Sequence, residues 1–317
     1  MVSKLIKFLA IVGLCLPLCG AWPNSGQKYP LVAAAYVGPG DVVASAVVWH
    51  GLRAYSNALA NAGASTTPVL DVRGDSTATT CTIFLKGTGT GDLDLTTAGA
   101  GGAGNQCLLG ATTFCTVTNT GCGVSKVYDQ SGHATDATQG TAANQPKFIL
   151  NCIGSLPCLK NTGILYLNLS AASTNQPWTL AMVTLQSGAG TGPFCGAVFG
   201  SIASACIAAF SLSTGVAFSS FQGTASINGP AVTVVNTVYS EIVEGNGVNG
   251  VVVQNGTAGT PGNAGSVPTS ASTGQWLNDS NADHLIGNGY ELGIWGIAFN
   301  STQYGNMSAN QRAYWGF

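Results

Sequence analysis

Charge is what this 317-residue chain has least of. It carries 10 Lys or Arg and 12 Asp or Glu, 7% of its residues, for a net charge of -2. Soluble domains average about 25% charged residues. With no basic tract and no positive field, electrostatic capture of nucleic acid or an anionic membrane is excluded as a function. The same scarcity argues against a helical protein, because Lys, Glu and Arg ordinarily cover exposed helix faces. Glycine is abundant at 44 residues and 45% of the chain is hydrophobic, which is too apolar for disorder. An all-β protein whose turns are made of Gly, Ser, Thr and Asn fits this composition.

Long apolar runs are also missing beyond the N-terminus, so no membrane span is expected. Lys4 and Lys7 precede an apolar stretch from Phe8 to Leu18 that is too short to cross a bilayer. With Cys19-Gly20-Ala21 at the cleavage positions, residues 1–21 read as a signal peptide and the protein as secreted, with cell surface or periplasm as variants. Eight cysteines then remain: Cys81, Cys107, Cys115, Cys122, Cys152, Cys158, Cys195 and Cys206. An even number in an exported chain points to disulfides. Nearest-neighbour pairing is the simplest of the 105 connectivities that sequence alone permits. No C-x-x-C occurs, and His50, His133 and His284 are scattered, so neither a metal nor another cofactor is expected.

Residues 44–62 show the one strong helical period. Val48, Leu52, Tyr55 and Leu59 form an apolar stripe that Gly63 would terminate. Short strands are expected at Val69–Val72, Thr80–Leu85, Trp178–Leu185, Val232–Val243 and Val251–Gln254, and a buried one at Ile294–Phe299. The Gly- and Thr-rich stretches 87–104 and 255–274 read as loops. Ser308-Ala309-Asn310-Gln311 has the form of a capping box for a last short helix. No linker or repeat divides the chain. A lead-in over 22–37 and one sandwich over 38–317, with helices near both ends, is the architecture expected.

Val124-Ser125-Lys126-Val127-Tyr128-Asp129-Gln130-Ser131-Gly132 resembles the Tyr-Asp-Gln-Ser-Gly signature of α-L-arabinofuranosidase B catalytic domains, and of related concanavalin-A-like (laminin-G-like) domains. Gly38-Pro39-Gly40-Asp41, Val72-Arg73-Gly74-Asp75 with the polar run after it, and Phe114-Cys115 with Cys122 match in the same order. So do Asp136-Ala137-Thr138-Gln139 and Asn144-Gln145-Pro146. The likeness is clearest over 38–150. It implies a disulfide-stapled concanavalin-A-like jelly roll, a Cys115–Cys122 bridge, and a secreted hydrolase that removes arabinofuranosyl side chains from polysaccharides. In the motif itself, Tyr128 is expected in the core, and Asp129 and Ser131 are expected to bond their own turn.

A retaining glycosidase needs two carboxyl groups about 5–5.5 Å apart. The chain has three glutamates, Glu241, Glu244 and Glu291. Where the resemblance places the nucleophile, near Phe218–Phe221, there is no carboxylate. Where it places the acid, in the turn Ile286-Gly287-Asn288-Gly289, there is an amide or a glycine, and an amide cannot protonate a leaving group. Glu241, Asp283 and Glu291 are the carboxylates that could substitute. Trp276, beside Gln275 and Asn278 in a polar stretch, is the candidate sugar-stacking ring, with Asp129 as a hydrogen-bonding partner. Trp49, Trp178 and Trp295 lie in apolar patterns and are expected in the core. There is no G-x-S-x-G elbow and no phosphate-binding glycine loop. Two readings follow: an arabinofuranosidase, or a non-catalytic laminin-G-like module that binds glycan or serves in a surface assembly.

Overall fold

The β-branched and aromatic runs form strands, and every pairing between described strands is antiparallel. The computed structural model describes residues 35–74, 80–95, 122–169, 175–187, 226–232, 234, 236–263, 265, 274–277 and 286–317, with the backbone of four short strands between 194 and 221. In the first half the strands are β1 (Ala46–Gly51), β2 (Pro68–Arg73), β3 (Thr80–Phe84), β4 (Cys122–Val127), β5 (Ala137–Thr138), β6 (Lys147–Ile153), β7 (Leu156–Asn161) and β8 (Leu167–Leu169). Then come β9 (Trp178–Gln186), β10 (Phe194–Cys195), β11 (Ala197–Val198), β12 (Ala209–Phe210), β13 (Ala217–Phe221) and β14 (Ser226–Val232). The last are β15 (Val238–Gly245), β16 (Val251–Gln254), β17 (Thr257–Ala258), β18 (Gly274–Trp276) and β19 (Gly287–Trp295). Helices α1 (Pro39–Val42) and α2 (Asn57–Ala60) are single turns, and α3 (Ser301–Trp315) closes the chain.

One path runs β11-β18-β8-β5-β4-β6-β7-β19-β9-β15-β16-β17, with β1 beside β19 and the β2–β3 pair beside β4. A second sheet is β10-β12-β13-β14. The long strands β9, β15 and β19 have a different environment on each face. Leu180, Met182, Val243, Leu292 and Ile294 pack with Val69, Leu70 and Val124 in the main core. Ala181, Ile242, Val253 and Trp295 pack instead with Phe299 and Met307 at α3. These are called the inner and outer faces below. Trp49, Trp178 and Trp295 are buried as expected.

Three expectations are corrected. Residues 44–62 are not a helix: β1 occupies 46–51, pairing with β19, and only Asn57–Ala60 is helical. A strand buried on both faces loses its period of two, and an apolar run then imitates a helical stripe. The last helix begins at Ser301, where Asn300 accepts from Gln303 N and Gln303 reaches back to Asn300 N. Ser308 and Gln311 are instead mid-helix, and both bond the Ser240 hydroxyl (2.9 and 2.5 Å). The expected turn 286–289 is the start of β19, which puts Glu291 mid-strand.

Cys152 and Cys158 form the expected nearest-neighbour disulfide, with Cα atoms 5.8 Å apart. Cys81 and Cys122 each take part in a disulfide as well. Cys107, Cys115 and Cys206 lie outside the described residues, as does the side chain of Cys195.

Candidate functional site

The pairing registers place one residue from each of five adjacent strands in a single row on the inner face. His50 of β1 stands opposite Leu292, Leu292 opposite Met182, Met182 opposite Glu241, and Glu241 opposite Gln254. Side chains directly opposite in a sheet share a face, so the polar members project into the main core. Thr184, next on that face, donates its hydroxyl to Glu241 Oε2 at 3.0 Å. Trp276 lies against the same region. A Cβ on Gly289 would come within 3.4 Å of its indole, and its ring stacks on His50 with centroids 6.5 Å apart.

This row is buried and underfilled in hydrogen bonds. Both ring nitrogens of His50, Glu241 Oε1, Gln254 Nε2, Trp276 Nε1 and the whole amide of Gln186 find no hydrogen-bond partner among the described residues. Buried polar atoms are normally satisfied, and each orphan costs about 1–3 kcal/mol. Burial also sets the charge state. It lowers the His50 imidazole to about 4, against the opposing pull of the Asp129 and Asp136 carboxylates. It pushes the Glu241 carboxyl well above its ordinary range, and the Thr184 hydroxyl offsets this only in part. Burial therefore favours the uncharged form of both titratable members of the row, the imidazole and the carboxyl, which stand beside amides.

Glu241 has a measurable consequence. Its folded-state pKa lies above the unfolded one, so the native state holds a proton that the unfolded chain gives up above about pH 4.5. The contribution is full below that pH and declines as pH rises, at about 1.4 kcal/mol per unit for one proton. Urea unfolding at pH 4.5 and pH 6 is expected to show wild type losing stability relative to Glu241→Gln as the pH rises, and an unchanged difference would contradict the assignment. His50, with its folded pKa depressed, acts oppositely, but only below about 6.5.

The other expected site residues lie elsewhere. Glu291 stands opposite Val183, and Val183 opposite Ser240, which faces α3. It is therefore on the outer face. There it forms a fully buried pair with Arg53, at 2.6 Å to Nε and 3.0 Å to Nη2, and accepts from Trp315 Nε1 at 2.9 Å. Glu244 is also outward, bonded by Tyr304 and Asn246, its carboxyl raised by burial despite those bonds. Asp283 lies outside the described residues. Trp276 is in β18 and fully buried, not in a polar surface loop, and offers no open ring face. Among the described residues of β1, β9, β15, β16 and β19, Glu241 is the one carboxyl on the inner face. No described group of three or more His, Cys, Asp or Glu could hold a metal ion.

The Tyr-Asp-Gln-Ser-Gly stretch is a staple. Asp129 accepts from Trp49 N, Ser131 N and Oγ, and Thr135 N and Oγ1. Burial raises its pKa, but these bonds outweigh it and hold the carboxylate below its ordinary range. The oxygens proposed for a sugar are thus already engaged. Gln130 donates Nε2 to Gly51 O and Arg53 O and accepts Tyr55 N on Oε1. Tyr128 is half-buried, not in the core, with its hydroxyl on Asp71 (3.1 and 3.2 Å). Sequence reasoning missed His50, Arg53, Thr184, Gln186 and Gln254. Their one available signal was a polar side chain inside an otherwise apolar run.

No family model and no curated protein matches this chain. Solved structures do. A GH54 α-L-arabinofuranosidase soaked with a cyclic sulfate inhibitor aligns at 16% identity over 88% of this chain, with TM-score 0.57. A mutant of a GH54 enzyme soaked with 4-nitrophenyl α-L-arabinofuranoside aligns at 15% identity over the same share, with TM-score 0.62. This chain has the GH54 arabinofuranosidase fold. An arabinofuranosidase complexed with arabinofuranosyl-α-1,2-xylobiose gives 16% identity and TM-score 0.60. In each case the alignment covers 65% of the other chain's length. At such identity the GH54 likeness extends to the path of the strands and not to the chemistry between them. No helix among the described residues is long and apolar enough to cross a membrane.

Proposed function

We propose that this is a secreted, disulfide-bonded glycan-binding protein that uses the GH54 fold without its hydrolytic turnover. The carrying observation is the composition of the inner row, where one carboxyl, Glu241, stands among amides, an imidazole and apolar residues. Double displacement needs an ionised nucleophile and a separate acid about 5–5.5 Å away. Glu244 and Glu291 face the other side of the sheet and are held by Tyr304 and Arg53. A buried Glu241 that holds its proton more tightly than an ordinary carboxyl suits a hydrogen-bond donor better than a nucleophile. Its raised pKa is also what favours the second reading, an arabinofuranosidase with Glu241 as acid.

One pair of measurements separates the two. The protein is expected to be retarded in a native gel containing arabinoxylan while releasing no 4-nitrophenol from 4-nitrophenyl α-L-arabinofuranoside. Turnover that disappears in Glu241→Gln would replace the binding reading with the hydrolase.

A further inference from the structure

On the side of the fold away from the inner row, six strands carry a second, solvent-facing row. Thr82 of β3 stands opposite Asp71 of β2, and Asp71 opposite Lys126 of β4. Lys126 stands opposite Thr138 of β5, Thr138 opposite Asn168 of β8, and Asn168 opposite Gln275 of β18. Their chain neighbours Ile83, Leu70, Val127, Ala137, Leu167, Leu169 and Trp276 are buried. By the two-residue alternation of strands the six therefore face outward. Thr138 and Asn168 are exposed and the other four half-buried. At about 4.8 Å per strand the row is roughly 24 Å long.

Its chemistry is unusual for an open sheet face. Hydroxyls and amides dominate, and both of its charged side chains are engaged within the surface. Lys126 lies 3.4 Å from Asp136, and Asp71 accepts from Thr82 Oγ1 at 2.7 Å and from Tyr128. Gln275 Nε2 donates to Asn168 Oδ1 at 3.3 Å. These contacts pre-order long side chains, which lowers the entropy that a ligand would otherwise have to overcome. One half-buried ring borders the row, that of Tyr128, with Lys126 Nζ 4.8 Å from its centroid. Such a surface carries little net charge with which to hold an ion and offers little apolar area for a protein partner. It matches a neutral, extended chain of hydroxyls with apolar ring faces.

We infer that the outward row Thr82–Asp71–Lys126–Thr138–Asn168–Gln275 is a platform for an extended neutral polysaccharide, lying across the strands. The assignment rests on the glycan-binding reading above and adds where and how the polymer lies. Arabinoxylan serves as the probe, in affinity electrophoresis at 50 and 500 mM NaCl. Wild type is expected to bind with little change between the two salt concentrations, since no counterions are released. Asn168→Ala/Gln275→Ala is expected to bind about 10-fold more weakly, from two lost hydrogen bonds, with an unchanged melting temperature. Should that variant fold poorly, the exposed substitution Thr138→Arg blocks the middle of the row and is expected to give the same loss. Unchanged binding in a folded variant overturns the platform and leaves the glycan-binding reading standing. Absence of wild-type binding overturns both, and binding abolished at 500 mM NaCl overturns the neutral ligand.

Discussion

Replacing Arg53 with methionine is expected to cost about 3–5 kcal/mol of stability, one of the largest losses available to a single substitution in this protein. Both partners of the Arg53–Glu291 pair have fully buried side chains. Removing the guanidinium strands the Glu291 carboxylate in the interior with Trp315 Nε1 as its remaining donor. The double substitution Arg53→Met/Glu291→Met should recover most of the loss, because a buried pair replaced by apolar volume is often neutral. The check is the urea midpoint of wild type, both single variants and the double. A loss below about 1 kcal/mol for Arg53→Met, the range of an exposed pair, would show that the pair is not buried in solution.

Gln130→Leu is expected to destabilise by roughly 3 kcal/mol or more. The isosteric apolar side chain leaves three main-chain groups without their partner: the carbonyls of Gly51 and Arg53 and the N–H of Tyr55. Each unsatisfied buried group costs about 1–3 kcal/mol. The loss should appear in thermal and urea unfolding while arabinoxylan retention of the folded fraction persists. A stable Gln130→Leu protein that has lost glycan binding would instead make the motif a ligand site. The two substitutions probe one region from opposite sides, since Arg53 is both a member of the ion pair and a backbone acceptor for Gln130. Their effects are therefore expected to be non-additive.

Where a side chain's surroundings follow from its neighbours in sequence, the reading succeeded. Val251–Gln254 is a strand, and Asn255-Gly256 after it, both at positive φ, make the tight turn into β17. Trp178–Leu185 was legible from its β-branched and apolar run. The misreadings occur where burial comes from distant chain. β1 is buried along nearly its whole length by β19, about 240 residues later, and its alternation vanished into an apolar stripe. Trp276 sits among polar residues, yet pairing with Leu167 of β8 covers it. Gly287-Asn288-Gly289 resembles a turn because it is glycine-rich, but Gly289 leaves the room that the Leu277 side chain occupies. The lack of a second carboxyl among the described inner-face residues was partly legible from the count of glutamates. That Glu241 and Glu291 face opposite sides was not, since it depends on the register that sets Leu292 and Glu241 opposite Met182, and Glu291 opposite Val183.

The pairing of β1 with β19 has a consequence for how the molecule comes together. The first of the described strands docks on the last of them, so the central sheet cannot close until the chain has been made as far as Trp295. Contacts this far apart in sequence make for slow acquisition of the native state. Any fragment ending before Gly287 would carry Ala46–Gly51 as an unprotected apolar edge, prone to recruit the same segment of a neighbouring molecule.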